Sequence, residues 1–145
     1  LAPLGRWSDM STIKAANLQN TGSGAPIVKN SSGTEIGQFS KAWANLKCTG
    51  TVSIRDSFNV SSLTDNGTGD FTVTFTNAFA NTNFTTVFGG ANTFNGDGSW
   101  NCIRCGQNQT YPGQGVTTST VRMFVLRDNG NTQDMTYVGI VVFGG

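Results

Sequence analysis

The 145-residue chain contains no histidine, one glutamate (Glu35) and only 12% charged residues. Without an imidazole no Ser-His-Asp or Cys-His arrangement can form, which removes the commonest nucleophilic machinery. Nine Lys and Arg against eight Asp and Glu leave a net charge of +1. A chain this neutral has no electrostatic footprint for nucleic acid or for an anionic membrane surface. Three cysteines and no histidine fall short of a structural zinc set, so neither metal nor cofactor is expected. Long apolar runs are missing as well. The longest, Gly139 to Phe143 with its neighbours, is far below the roughly 20 residues of a spanning helix, so no membrane insertion is expected. No basic start followed by an apolar stretch reads as a secretory signal. The chain opens on Leu1, which reads as a processed or an excerpted start.

What is abundant points the other way. Thr, Gly, Asn and Ser together make up 66 of the 145 residues. These are turn formers and strand-surface residues and poor helix formers, so the class is all-β with wide loops. The length suits one domain, or a slightly smaller one with an arm. Near-zero charge combined with ten Phe favours association, which suggests a chain that lives inside an assembly.

Along the chain, Leu1 to Ser40 is rich in Gly and carries only short apolar groups such as Pro26-Ile27-Val28. It reads either as an extended arm threading between neighbours, with a brief helix over Ile13–Leu18, or as a flexible linker. From Lys41 the pattern becomes regular. Strands are expected over Ala42–Leu46, Thr51–Arg55, Phe58–Leu63, Phe71–Thr76 (the cleanest alternation), Phe84–Phe88, Thr117–Arg127 and Tyr137–Phe143. Gly89-Gly90 is expected to end the fifth of these, and the last is apolar enough for a strand covered on both faces. Asn66-Gly67 marks a hairpin, and the long Thr64–Asp70 connection calls for a bulge. Seven or so short strands at this spacing predict an antiparallel β-sandwich, jelly-roll-like, over residues 41–145, preceded by an arm over 1–40. Its core is expected to hold Trp43, Val52, Ile54, Phe71, Val73, Phe75, Val121, Val125, Ile140 and Val142.

Candidate chemistry is sparse. The carboxylates Glu35, Asp56, Asp65, Asp70, Asp97, Asp128 and Asp134 are mostly turn residues, whose side chains bond their own backbone; no catalytic residue is assigned. Cys102-Ile103-Arg104-Cys105 is a CxxC without the helix that redox pairs usually open. Buried free thiols, a tight local disulfide, and an inter-subunit or metal role for Cys48, Cys102 and Cys105 all remain open readings. Asn-x-Ser/Thr triplets begin at Asn30, Asn59, Asn66, Asn83 and Asn108, as chance supplies in such a composition. The polar excursion from Ala91 to Gly115 is the binding candidate: Trp100 and Tyr111 offer stacking faces, and Asp97, Asn101, Arg104 and Gln107 offer hydrogen bonds to sugar hydroxyls or acidic groups. Trp100 reads equally well as a loop anchor.

The stretch Asn30-Ser31-Ser32-Gly33-Thr34-Glu35-Ile36-Gly37, the Lys41-Ala42-Trp43-Ala44-Asn45 segment and the run Thr49 to Phe75, with Ile54-Arg55-Asp56-Ser57-Phe58-Asn59-Val60-Ser61-Ser62 and Thr64-Asp65-Asn66-Gly67-Thr68-Gly69-Asp70-Phe71 inside it, carry a resemblance. They resemble a module of bacteriophage tail fibres and related virion proteins, particularly of marine and cyanobacterial phages. Leu46-Lys47-Cys48 departs from the module's usual Phe-Asn-Gly, and Ala91–Gly115 has no counterpart in its wording. The resemblance implies a virion location, a homotrimeric appendage and no catalytic motif. The expected function is the distal receptor-binding domain of a tail fibre, with itself, other virion proteins and a host surface glycan or outer-membrane receptor as partners. The alternatives are a capsid or tail decoration that touches only virion neighbours and, less favoured, a glycan-degrading tailspike.

Overall fold

The computed structural model describes residues 27–91, 101–105, 115–127 and 130–145. The helix expected over Ile13–Leu18 lies outside these residues. Every regular element among them is a strand: β1 (Ile27–Lys29), β2 (Glu35–Gln38), β3 (Ala42–Lys47), β4 (Ser53–Phe58), β5 (Val60–Gly67), β6 (Asp70–Phe75), β7 (Phe84–Ala91), β8 (Asn101–Cys105), β9 (Thr120–Arg127) and β10 (Tyr137–Gly144). β1 and β2 form a separate hairpin, while β4-β3-β10-β7 and β5-β6-β9-β8 form two antiparallel four-stranded sheets. Their inner faces meet as a β-sandwich, as the alternation predicts.

Period-2 patterning builds the core directly. β3 contributes Ala42, Ala44 and Leu46, and β10 contributes Val138, Ile140 and Val142; opposite them lie Phe71, Val73 and Phe75 from β6 and Val121, Met123 and Val125 from β9. Val52 and Ile54 pack against this cluster while partly buried. Trp43 does not join it. Three small or medium apolar residues at alternate positions of β3 take the inner face, and the residue between the first two must point outward. At one end Phe75, Phe79 and Phe84 cluster, Phe75 meeting Phe79 edge-to-face with ring centroids 4.7 Å apart and Phe79 lying tilted against Phe84 at 4.9 Å, closing the sandwich.

Several boundaries differ from the sequence reading. β5 runs through the expected loop to Gly67, leaving a tight turn before Asp70; the expected bulge is present, with Asn66 the extra residue between the Asp65↔Phe71 and Gly67↔Asp70 pairs. β7 continues through Gly89-Gly90 in unbroken register with β10. A Cβ at Gly90 would stand 2.8 Å from the ends of the Ile103 and Met135 side chains and 3.0 Å from the Tyr137 carbonyl oxygen, so the absent side chain leaves room for them. β9 begins only at Thr120, since the Thr117 hydroxyl oxygen accepts the Ser119 and Thr120 N–H groups and holds a turn. β10 buries one face; its other face, with Gly139, Val141 and Phe143, is only half covered.

The chain changes sheets between β4 and β5 through one residue. Asn59 has a φ of 56°, a left-handed conformation that Asn tolerates better than branched or bulky residues. Its side-chain amide donates to the Lys41 and Asn77 carbonyls at 3.1 and 3.2 Å, and its Oδ1 accepts the Asn77 N–H at 2.8 Å. One side chain thus ties the start of β3 and the end of β6 to the corner.

Candidate functional site

Of the six residues that the sequence singles out for binding, Asp97, Trp100, Gln107 and Tyr111 lie outside the described residues. Asn101 and Arg104 lie on β8, an edge strand, in register opposite Arg127 and Phe124 of β9. The β5–β6 hairpin is brought to the same place. Asp70 pairs with Phe124 from the other side, so one register row runs Asp70, Phe124, Arg104 across β6, β9 and β8. Sequence spacing gives no hint of this row, because its members are separated by tens of residues and joined only by strand pairing.

The Asp70 end of the row is polar and held in place. Asp70 accepts Arg122 Nε at 2.8 Å and Nη2 at 2.5 Å, a two-pronged ion pair with both side chains about one-sixth exposed. The Arg122 guanidinium lies 5.4 Å from the centroid of the Phe124 ring, and Phe124 is buried although it sits outside the central core. Asn66 Nδ2 donates to Thr72 Oγ1 at 2.9 Å and reaches Asp70 Oδ1 at 3.3 Å.

The hairpin tip is locked from behind. Gly69 is buried with a φ of 65°; its N–H donates to Asp134 Oδ1 at 2.7 Å, and its carbonyl accepts the Val125 N–H at 2.8 Å. A Cβ at Gly69 would come within 2.6 Å of the Gln133 nitrogen and the Val125 oxygen. Residues 65–70 and the 130–136 connection therefore form one rigid rim. Ala91 pairs with Tyr137, which places the entry to the 92–100 segment at this same end.

The described carboxylates are each engaged in structure. Asp56 and Asp65 accept the N–H of Ser57 and Gly67, Glu35 accepts Gln38, Asp70 holds Arg122 and Asp134 holds Gly69. No group of three or more Cys, Asp or Glu suited to a metal occurs among the described residues. Cys48 is a buried free thiol. Burial pushes it up from 9.0 to about 12, with the negative charges of Asp134 and Asp65 adding to the shift and Arg55 opposing it. Cys102 and Cys105 lie three steps apart on one extended strand. At about 3.3 Å per step their Cα atoms stand roughly 10 Å apart, beyond the reach of a disulfide between them.

No helix among the described residues is long and apolar enough to cross a membrane. No family model, no curated protein and no solved structure matches the chain. What the fold itself establishes is a class: an all-β sandwich whose hairpin end carries a fixed polar rim.

Proposed function

We propose that this chain is a bacteriophage virion protein, the distal receptor-binding domain of a tail fibre, acting as a homotrimer on the surface of the particle. The observation that carries the reading is the wording of Asn30 to Phe75, which resembles the tail-fibre module over strands, corner and hairpin alike. Two features of the site support it. A rigid sandwich presents a locked hairpin rim, and β8, drawn from the stretch without counterpart in the module, lies in register beside that rim. A stretch without counterpart in the module, carried on a fixed scaffold, suits recognition of a particular host surface. In this reading Trp100 and Tyr111 stack on sugar faces, while Asp97, Asn101, Arg104 and Gln107 hydrogen-bond hydroxyls or acidic groups of a host glycan or outer-membrane receptor. Trimer avidity lets a single-site affinity of about millimolar hold a particle.

The test is the Trp100→Ala and Tyr111→Ala pair, with folding and assembly checked first. Loss of adsorption to host cells with intact assembly is expected; normal adsorption without both rings overturns the site. A second reading, a capsid or tail decoration that contacts only virion neighbours, is favoured by the apolar outer face of the β4-β3-β10-β7 sheet, where Phe58 and Val87 are both more than half exposed. A glycan-degrading tailspike has less support, because each described carboxylate already holds a structural partner.

A further inference from the structure

Four edge strands border the two sheets, and three of them carry features that discourage further pairing. β4 carries Arg55 and Asp56, with Arg55 bulged between the Asn45↔Asp56 and Leu46↔Ile54 pairs. β5 contains Asp65 and two bulges. β8 carries Arg104. β7 differs. Its eight residues, Phe-Thr-Thr-Val-Phe-Gly-Gly-Ala, include no charge and no proline, and its register with β10 is unbroken from end to end. Among the described residues no strand pairs with its outer side, and such an edge is a template for another strand.

The outer face of the same sheet leads to that edge. Phe58, Trp43, Val141 and Val87 stand directly opposite one another across β4, β3, β10 and β7, making one apolar row that ends at Val87. Val87 is 56% exposed and Phe58 55%. A lone exposed side chain needs no explanation, but a continuous row reaching an open edge marks a contact surface.

The chain also carries a strand pair in need of a sheet. β1 and β2 join neither four-stranded sheet, and Ile27, Val28 and Ile36 are exposed, Ile36 the most at 62%. A two-stranded hairpin alone is marginal in water. Its own β7 edge is out of reach. The Lys41 N–H bonds the Val142 carbonyl, which pins Lys41 to the line of β3 beside β10. Three residue steps from Gln38 to Lys41 span at most about 11 Å. A strand added outside β7 lies three strand spacings from β3, about 14 Å away.

We infer that β2 of a neighbouring copy of this chain pairs along the open edge of β7, setting Ile36 beside Val87 and extending the apolar row across the boundary. The contact is heterologous, hairpin to edge, so repeated around a ring it closes without leaving either surface open. The inference deepens the homomeric part of the proposed function and is independent of any virion role.

The experiment uses the full chain with Cys102 and Cys105 replaced by Ser. One preparation carries Ile36→Cys, a second carries Val87→Cys, and a short bismaleimide is added to each and to their mixture. A cross-link that requires the mixture is expected. Sedimentation of Val87→Lys and Ile36→Lys, both exposed positions whose folding is checked by circular dichroism, is expected to show association weakened by about tenfold or more. A chain that is monomeric at tens of micromolar overturns both the inference and the homomeric assembly. An assembly unaffected by both lysines, or one cross-linked only from Val87 to Val87, overturns the inference and leaves the homomeric assembly standing.

Discussion

At Asn59, the residue that turns the chain from one sheet to the other, backbone conformation and side-chain chemistry act together. Asn59→Ala forces an alanine into the left-handed region and removes the amide's bonds to Lys41, Asn77 and the Asn77 N–H. The expected cost is roughly 2–4 kcal/mol in urea unfolding, with Asn59→Gly costing less because only the hydrogen bonds are lost. Equal losses for the two variants would contradict the role assigned to the backbone. Cys48 makes a second prediction at this scale. Folded, it keeps its proton to about pH 12; unfolded, it releases it near 9. Between these values the unfolded state binds fewer protons, so the thiol's contribution is fully present below about pH 9 and is lost as pH rises. The slope approaches 1.4 kcal/mol per pH unit, roughly, and Cys48→Ala should remove it. Iodoacetamide should spare Cys48 in the native protein at pH 8 and modify it in urea.

Among the elements, the strands with strict alternation were legible and the ones governed by partners were not. Phe71, Val73 and Phe75 could be placed inside from spacing alone, as could Val121 and Val125. Trp43 misleads because size suggests burial, whereas parity gives the inner face to Ala42, Ala44 and Leu46. Gly89-Gly90 looks like a strand end, yet Gly90 leaves room for the ends of Ile103 and Met135, residues that no local window contains. The same holds for the candidate site. Arg104 and Asp70 could each be suspected from the sequence, but their shared row, and the Arg122 that binds Asp70, follow only from strand pairing. The hairpin rim is testable at Gly69. Gly69→Ala pushes a Cβ into the backbone of Gln133 and Val125, at a cost of roughly 2–4 kcal/mol, and should raise amide exchange at Val125 and Gln133. Unchanged exchange there would mean that the rim is not held through this contact. At the opposite end, Phe79→Ala should cost roughly 3–5 kcal/mol, because its ring fills the space between Phe75 and Phe84.

For the whole molecule, the two ends and the open edge divide the work. The phenylalanine end closes the core, the hairpin end carries a fixed polar rim, and β7 is the uncharged edge that the proposed assembly uses. In the proposed assembly the uncharged β7 edge of a chain with net charge +1 and ten Phe is covered by one hairpin. Assembly and adsorption, as proposed, are tested separately, since Val87 on β7 is not among the rim residues 65–70 and 130–136. The central claim, that the chain forms the distal end of a tail fibre, is tested most directly by its position in the particle. Electron microscopy of virions labelled with an antibody to this chain should place the label at fibre tips, three copies to a fibre. Label spread over the capsid lattice, or absent from the particle, would contradict the account.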